Sequence, residues 1–299
     1  QQWRHGLQLL LDARKLSFCP DIISYNAAIS ACEKCGQWQQ ALALLAEAQA
    51  AAGPDIVSFN SALSACGAAR QWQRAVAMLA EMPKLHLEPS IVTLNAAISA
   101  AATWQSALGL VSDGRPRGLN PDEVSFAAAV SACEKGLEWR RALSLFREMS
   151  SRSLPPSLFA ANAAISAFEK VERWRGALSL LATLQRMGLQ PDHVSLNSAA
   201  SACEKGSRWQ GALMLLVGRD SQLQRLALVR DLVAYNVALL ACMRGLLWRL
   251  SLDLLSQMMR NSPEPTVISF SPALEACERS RQALQTVRLL DTLQRRVLS

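Results

Sequence analysis

The sequence predicts an all-α fold, a solenoid of stacked helix-turn-helix repeats, and three observations predict it. First, the phrase Ser24-Tyr25-Asn26-Ala27-Ala28-Ile29-Ser30-Ala31-Cys32-Glu33-Lys34 returns at 58–66, 125–135, 160–170 and 195–205. Looser copies begin at Thr93, Ala234 and Ser269. Anchored on the place of Asn26, the copies stand at 26, 60, 95, 127, 162, 197, 236 and 271. A fixed period of this size marks units too small to bury their own apolar faces, so that stacking supplies the core. Second, a Trp follows the anchor by 12 residues in six copies: Trp38, Trp72, Trp139, Trp174, Trp209 and Trp248. Third, a Pro separates successive copies at Pro20, Pro54, Pro89, Pro121, Pro156, Pro191 and Pro265, where it stops the preceding helix.

Taken in order, residues 1–20 read as a truncated copy carrying Trp3, and eight repeats follow. Their expected bounds are 21–54, 55–89, 90–121, 122–156, 157–191, 192–230, 231–265 and 266–299. Within each, a first helix opens at a Ser or Thr and runs for about eleven residues. A Gly such as Gly36, Gly136 or Gly206 then ends it. The second helix opens near the Trp and carries Ala and Leu at helical spacing, as at Ala41, Leu42 and Leu45. In the third copy Trp104 follows the anchor by only 9 residues, which predicts three residues missing between the helices. The copy starting at 192 is four residues longer, near Arg219–Arg230. The last copy has Ala283 at the Trp place, as terminal capping repeats often diverge. The chain opens in what reads as the second half of a repeat and without Met, so a piece of a longer protein is expected. Any targeting peptide would then lie upstream.

Composition narrows the function. The chain is 51% hydrophobic and 18% charged, which fits a globular rather than a disordered chain. No apolar run reaches the ~18 residues of a membrane span, so no membrane partner is expected. A net charge of +7 favours an acidic partner such as nucleic acid, although a solvated basic surface has the same composition.

The first helix carries two stripes. Ile22, Tyr25, Ile29 and Cys32 share one face and should pack inward. Ile23, Asn26, Ser30 and Lys34 form the other: aliphatic, amide, small hydroxyl, cation. That order returns as Val124, Ala127, Ser131, Lys135, as Phe159, Asn162, Ser166, Lys170, and as Val194, Asn197, Ser201, Lys205. It returns more loosely as Val233, Asn236, Leu240, Arg244. A buried stripe has no use for a recurring cation, and a solvated one has no use for a recurring β-branched residue. A flat apolar ligand with polar edges and a negative charge suits the mixture, and a nucleotide has those three features. The alternative reading of the Asn positions is that they satisfy buried backbone groups.

The wording S-Y-N-A-A-I-S-A-C-E-K-G, the period and the Pro-Asp junctions together resemble the pentatricopeptide repeat family across essentially the whole chain. That resemblance implies a right-handed superhelix that binds single-stranded RNA, one base per repeat. Each base would be read by the amide position and by the last residue of the same repeat. The implied readers are Asn26 with Asp55, Asn95 with Asp122, Asn162 with Asp192, and Asn197 with Asp231, each for uracil. Asn60 with Ser90 implies cytosine, and Asn236 with Thr266 a pyrimidine. Ala127 with Ser157 departs from the pattern, since Ala cannot hydrogen-bond a base edge, and its repeat reads as a spacer. With the RNA running parallel to the chain, the implied target is a pyrimidine-rich U-C-U-N-U-U-Y. Ile23, Val57, Val92, Val124, Val194 and Val233 would sandwich the bases, with Phe159 departing from that aliphatic place. Lys34, Lys135, Lys170 and Lys205 would meet phosphates.

The resemblance further implies an organelle, plastid before mitochondrion, and a role in RNA processing, stability, editing or translation. The rival is a helical scaffold that takes protein partners in its groove. No enzyme, cofactor or metal site is expected. His5, His86 and His193 lie away from any Cys or carboxylate cluster, and the paired motifs of a zinc deaminase are missing. Family members can carry an appended catalytic domain, which here would lie beyond Ser299. Cys32, Cys66, Cys133, Cys203, Cys242 and Cys277 recur six residues after the anchor. They read as a buried packing position rather than a disulfide ladder. Cys32 and Cys35 make a lone C-x-x-C, too little for a zinc site. The Trp residues read as packing groups of the second helix rather than as stacking platforms.

Overall fold

Five of the first helices begin where the sequence supplies a side-chain cap of the amide three residues on. Asp21, Asp55, Asp122 and Asp192 adopt extended backbone, and each carboxylate accepts the amide N–H three residues on. Ser90 does the same through its hydroxyl. The side chain thereby satisfies one of the amides that the first turn orphans. The Pro before each cap lacks an N–H and holds the chain out of the helix that ends before it. The computed structural model describes residues 2–15, 20–51, 53–69, 71–114, 118–152, 154–155, 157–217, 231–261 and 264–297.

Among the described residues there are 17 α-helices and no strand. After α1 (Gln2–Lys15) they come in pairs: α2 (Ile22–Lys34) with α3 (Trp38–Ala51), and α4 (Ile56–Ala68) with α5 (Trp72–Glu81). Next come α6 (Ile91–Ala100) with α7 (Trp104–Gly114), α8 (Glu123–Lys135) with α9 (Trp139–Ser151), and α10 (Leu158–Lys170) with α11 (Trp174–Arg186). The last are α12 (His193–Lys205) with α13 (Trp209–Val217), α14 (Leu232–Arg244) with α15 (Trp248–Asn261), and α16 (Val267–Arg279) with α17 (Ala283–Val297). The fold is an α-solenoid of helix-turn-helix repeats. It divides into two units, Gln1–Ala160 and Ala161–Ser299. In the first, α2, α4, α6 and α8 stack one on the next; in the second, α12 packs on α14 and α14 on α16.

The inward stripe is buried as its spacing requires. Tyr25, Phe59 and Phe126 are fully enclosed, as are Ile29, Leu63 and Val130 one turn on. All six recurring Cys are buried free thiols. Burial pushes them up, Cys133 and Cys203 to about 11 and Cys242 to about 12, so they stay protonated and inert near neutrality. The insertion expected near Arg219–Arg230 lies outside the described residues, as do Pro156 and the side chain of Trp3.

One expectation needs correction. The three residues lost from the third copy are not lost between the helices. The connector Ala101–Thr103 is as long as Cys35–Gln37, whereas α6 has 10 residues where α2, α4 and α8 have 13. About one turn of the helix itself is gone. Gly136 and Gly206 do end their helices, as expected, but with φ values of −84° and −76°. The left-handed residue there is the next one, Leu137 or Ser207, whereas Gly36 is itself left-handed at φ 68°. Gly136 and Gly206 are small for another reason. A Cβ on either would come within 2.4 Å of Trp104 Cδ1 or 2.5 Å of Trp174 Cδ1. The half-buried Trp of one repeat thus lies on the helix end of the next, which accounts for Trp and Gly together. Arg208 stacks over the Trp174 ring at 4.8 Å and closes the outer side of this contact.

Candidate functional site

The second stripe of each first helix faces outward, and its residues divide by chemistry. At its top stand Ile23, Val57, Val92, Val124, Phe159, Val194 and Val233, every one exposed despite its apolarity. Ile268 occupies the same place in the last copy and is 68% exposed; reading that copy as degenerate passed over it. Single exposed apolar residues are ordinary, but eight at one repeat position, seven aliphatic and one aromatic, make a pattern.

One turn along, the amides are half-buried and held. Asn26 Nδ2 donates to both carboxylate oxygens of Asp55, at 3.2 and 3.0 Å. Asn95 does so to Asp122 at 3.1 and 3.3 Å, and Asn162 to Asp192 at 3.2 and 3.1 Å. Asn197 Nδ2 donates to Asp231. Residues 27 to 34 positions apart are therefore side by side at all four Asn/Asp junctions. At the other two amide junctions the last residue is a hydroxyl, Ser90 beside Thr93 and Thr266 beside Ser269.

A third residue completes each junction, and pairing the amide with the last residue overlooked it. The hydroxyl that opens the next first helix donates to the amide oxygen: Ser58 to Asn26, Thr93 to Asn60 at 2.6 Å, Ser125 to Asn95, Ser195 to Asn162, and Ser269 to Asn236 at 2.7 Å. These hydroxyls are fully buried. Their signal was present in the sequence as a Ser or Thr two residues before six of the eight anchors. What hid its meaning is that the partner belongs to the preceding repeat. Where Ala234 replaces the hydroxyl, Asn197 Oδ1 is buried and has no hydrogen-bond partner. Where Ala160 replaces it, the anchor is Ala127, which needs none.

The junction sets its own electrostatics. Burial would raise the Asp55 carboxyl. The Ser58 amide and hydroxyl and the Asn26 amide outweigh it and hold the group below the usual carboxylate value. Asp122 and Asp192 are held down in the same way, with Asn95 and Asn162 as the amide donors. An ionised carboxylate can only accept, so it fixes which end of the amide faces it. Where one Nδ2 hydrogen is shared by the two carboxylate oxygens, the other Nδ2 hydrogen and one Oδ1 lone pair of Asn26, Asn95 and Asn162 are left over.

Of the cations that end these stripes, Lys34, Lys135 and Lys170 are exposed. Lys205 pairs with Glu169 at 3.0 Å, and the Ser201 hydroxyl donates to the same carboxylate oxygen at 2.8 Å. Arg244 pairs with Glu204 at 2.7 Å. Among the described residues no three His, Cys, Asp or Glu side chains gather as a metal site, and no helix is long and apolar enough to cross a membrane.

The sequence matches a family profile described as the pentatricopeptide repeat domain over residues 8–68 and 48–102, and a profile for the same repeat over 124–154. No curated protein sequence matches it. Among solved structures it is similar to the pentatricopeptide repeat protein PPR10 from maize, with 19% identity and a TM-score of 0.64. The match covers 97% of this chain and 47% of that one. It is similar to PPR10 in complex with an 18-nt psaJ RNA element, with 21% identity and a TM-score of 0.61, over 95% of this chain and 46% of that one. The chain spans less than half the length of these structures, and identities this low speak for the fold.

Proposed function

Because the chain belongs to the pentatricopeptide repeat family, we propose that it binds single-stranded RNA, one base per repeat, without catalysing a reaction on it. The observation that carries this reading is the latched amide beside an exposed aliphatic residue. Asn26, Asn95 and Asn162 each offer one N–H donor and one carbonyl lone pair. Uracil presents the complement, an N3–H beside a carbonyl oxygen, and an amide whose orientation is fixed reads that pair without turning over. Ile23, Val57, Val92, Val124, Val194 and Val233 would flank the base faces, with Phe159 in the same row. The base readers would be Asn26 with Asp55, Asn95 with Asp122, Asn162 with Asp192, and Asn197 with Asp231.

Asn60 and Asn236 are held at the carbonyl end alone. No carboxylate forces their Nδ2 in one direction, which agrees with a cytosine or mixed pyrimidine at those repeats. Lys34, Lys135, Lys170 and Lys205 would meet phosphates, Lys205 after leaving Glu169. The organellar setting, the choice of plastid, and a part in RNA processing, stability, editing or translation follow from the family and belong to the proposal.

Selection from a random single-stranded RNA pool tests the reading. Winners should share a pyrimidine-rich core near U-C-U-N-U-U-Y, bind more weakly as salt rises, and lose the uracil in favour of guanine at the fifth place when Asn162→Thr is used. Enrichment of no sequence, with binding set by salt alone, would leave a basic scaffold whose groove takes protein.

A further inference from the structure

The repeat that lacks the amide is not merely blank. A cavity of about 370 Å3 opens at Ala127, lined on one side by Ile98, Ser99 and Ala101 and on the other by Val124 and Phe159. Two departures from the repeat pattern meet there. Ala127 ends at Cβ where Asn26, Asn95 and Asn162 carry amides, and α6 stops about one turn early. Each alone would leave a shallower recess. Together they give a volume within the range of small-molecule sites.

The lining is chosen for a flat ring. Phe159 is the aromatic member of an otherwise aliphatic ladder and is 63% exposed beside the cavity, with Val124 57% exposed. Glu123 also lines it, and stands where the other first helices open with Ile, Leu, Val or His. Its carboxylate accepts hydrogen bonds and cannot donate, so it favours an exocyclic amino group, as on adenine, guanine or cytosine, over uracil, and the width of the cavity then separates purines from cytosine. Lys135 lies at the rim and supplies a cation for a phosphate.

We propose that the repeat built on Ala127 is a slot for a purine base, wider than its neighbours and reading ring size and an amino edge rather than the uracil edge. This rests on the RNA-binding reading above. It replaces the expectation of a spacer by a preference for A or G at the fourth place of the target. Adenine and guanine fill the space vacated by the amide and stack on Phe159. Uracil leaves that space empty and offers Glu123 only its N3–H among two carbonyls.

The test uses the full chain and four RNAs, U-C-U-N-U-U-Y with A, G, U or C as the fourth base and all else fixed. The expected result is that the A or G form binds about fivefold or more tightly than both pyrimidine forms. Phe159→Val, which restores the aliphatic residue of the other repeats, should erase that difference and leave the preference at the first three bases unchanged. Ala127→Asn should turn the fourth place toward pyrimidine. Equal binding of all four RNAs, with the other places still selective, overturns the purine slot and leaves the RNA-binding reading standing. Equal, salt-governed binding with no selectivity anywhere overturns both.

Discussion

Two junctions of this protein start from one pattern and end in different chemistry. At one, Asn162, Asp192 and Ser195 form a closed set: the amide N–H and the Ser195 backbone N–H donate to the carboxylate, and the Ser195 hydroxyl donates to the amide oxygen. At the other, the same positions hold Ala127, Ser157 and Ala160, and a cavity stands where the amide would be. The comparison shows that amide, last residue and buried hydroxyl are one device. A buried polar atom needs a partner, so removing the amide makes the hydroxyl unnecessary, and Ala at both places leaves nothing unsatisfied. The junction at Asn197 is the intermediate case, where the hydroxyl alone has gone and an orphaned carbonyl oxygen remains.

The largest effect should come from cutting the closed set at its carboxylate. Asp192→Ala removes the cap of α12 and the acceptor of Asn162 together. It should cost about 2 kcal/mol in thermal or urea unfolding. A loss within a few tenths would mean that the set orders the amide without supporting the fold.

A smaller effect of opposite sign is expected where the set is incomplete. Ala234→Ser supplies the missing donor to Asn197 Oδ1 and should stabilise by about 1 kcal/mol. The paired control is Ala160→Ser, which buries a hydroxyl opposite Ala127 and should gain nothing. If both substitutions behave alike, the amide does not set the need for the hydroxyl.

The smallest effect is in acid. Asp55, Asp122 and Asp192 are held below the usual carboxylate value. Their contribution is therefore fully present above the unfolded-state value and is lost as pH falls through the lower, folded value. Unfolding midpoints should be flat from neutrality to about pH 5 and decline below about pH 4. The triple change of these residues to Asn should flatten the decline, and an unchanged acid limb would assign it to other carboxylates.

Much of this was legible in the residues. The period and the inward Tyr25, Ile29 and Cys32 follow from 3.6-residue spacing, which acts within a turn or two; the helix starts lie two residues before the expected Ser or Thr, behind Asp caps that the expectation passed over. The outward row of Ile23, Val57, Val92 and Val124 could be read for the same reason. The proximity of Asn26 to Asp55 was inferred from resemblance, since nothing local connects them. The roles of Ser58, Gly136 and the shortened α6 could not be read, because each involves a partner in another repeat.

By itself, then, the sequence determined the repeating hairpin, its ends and its two faces, since backbone capping and helical periodicity are short-range. Tertiary structure decided what lies between hairpins. Trp104 needs Gly136 because the stacked helix end leaves no room for a Cβ. Asn162 meets Ser195 because stacking brings the buried hydroxyl of one repeat against the amide oxygen of the repeat before it. A cavity appears at Ala127 because two absences, in α6 and in α8, are brought to one place by packing.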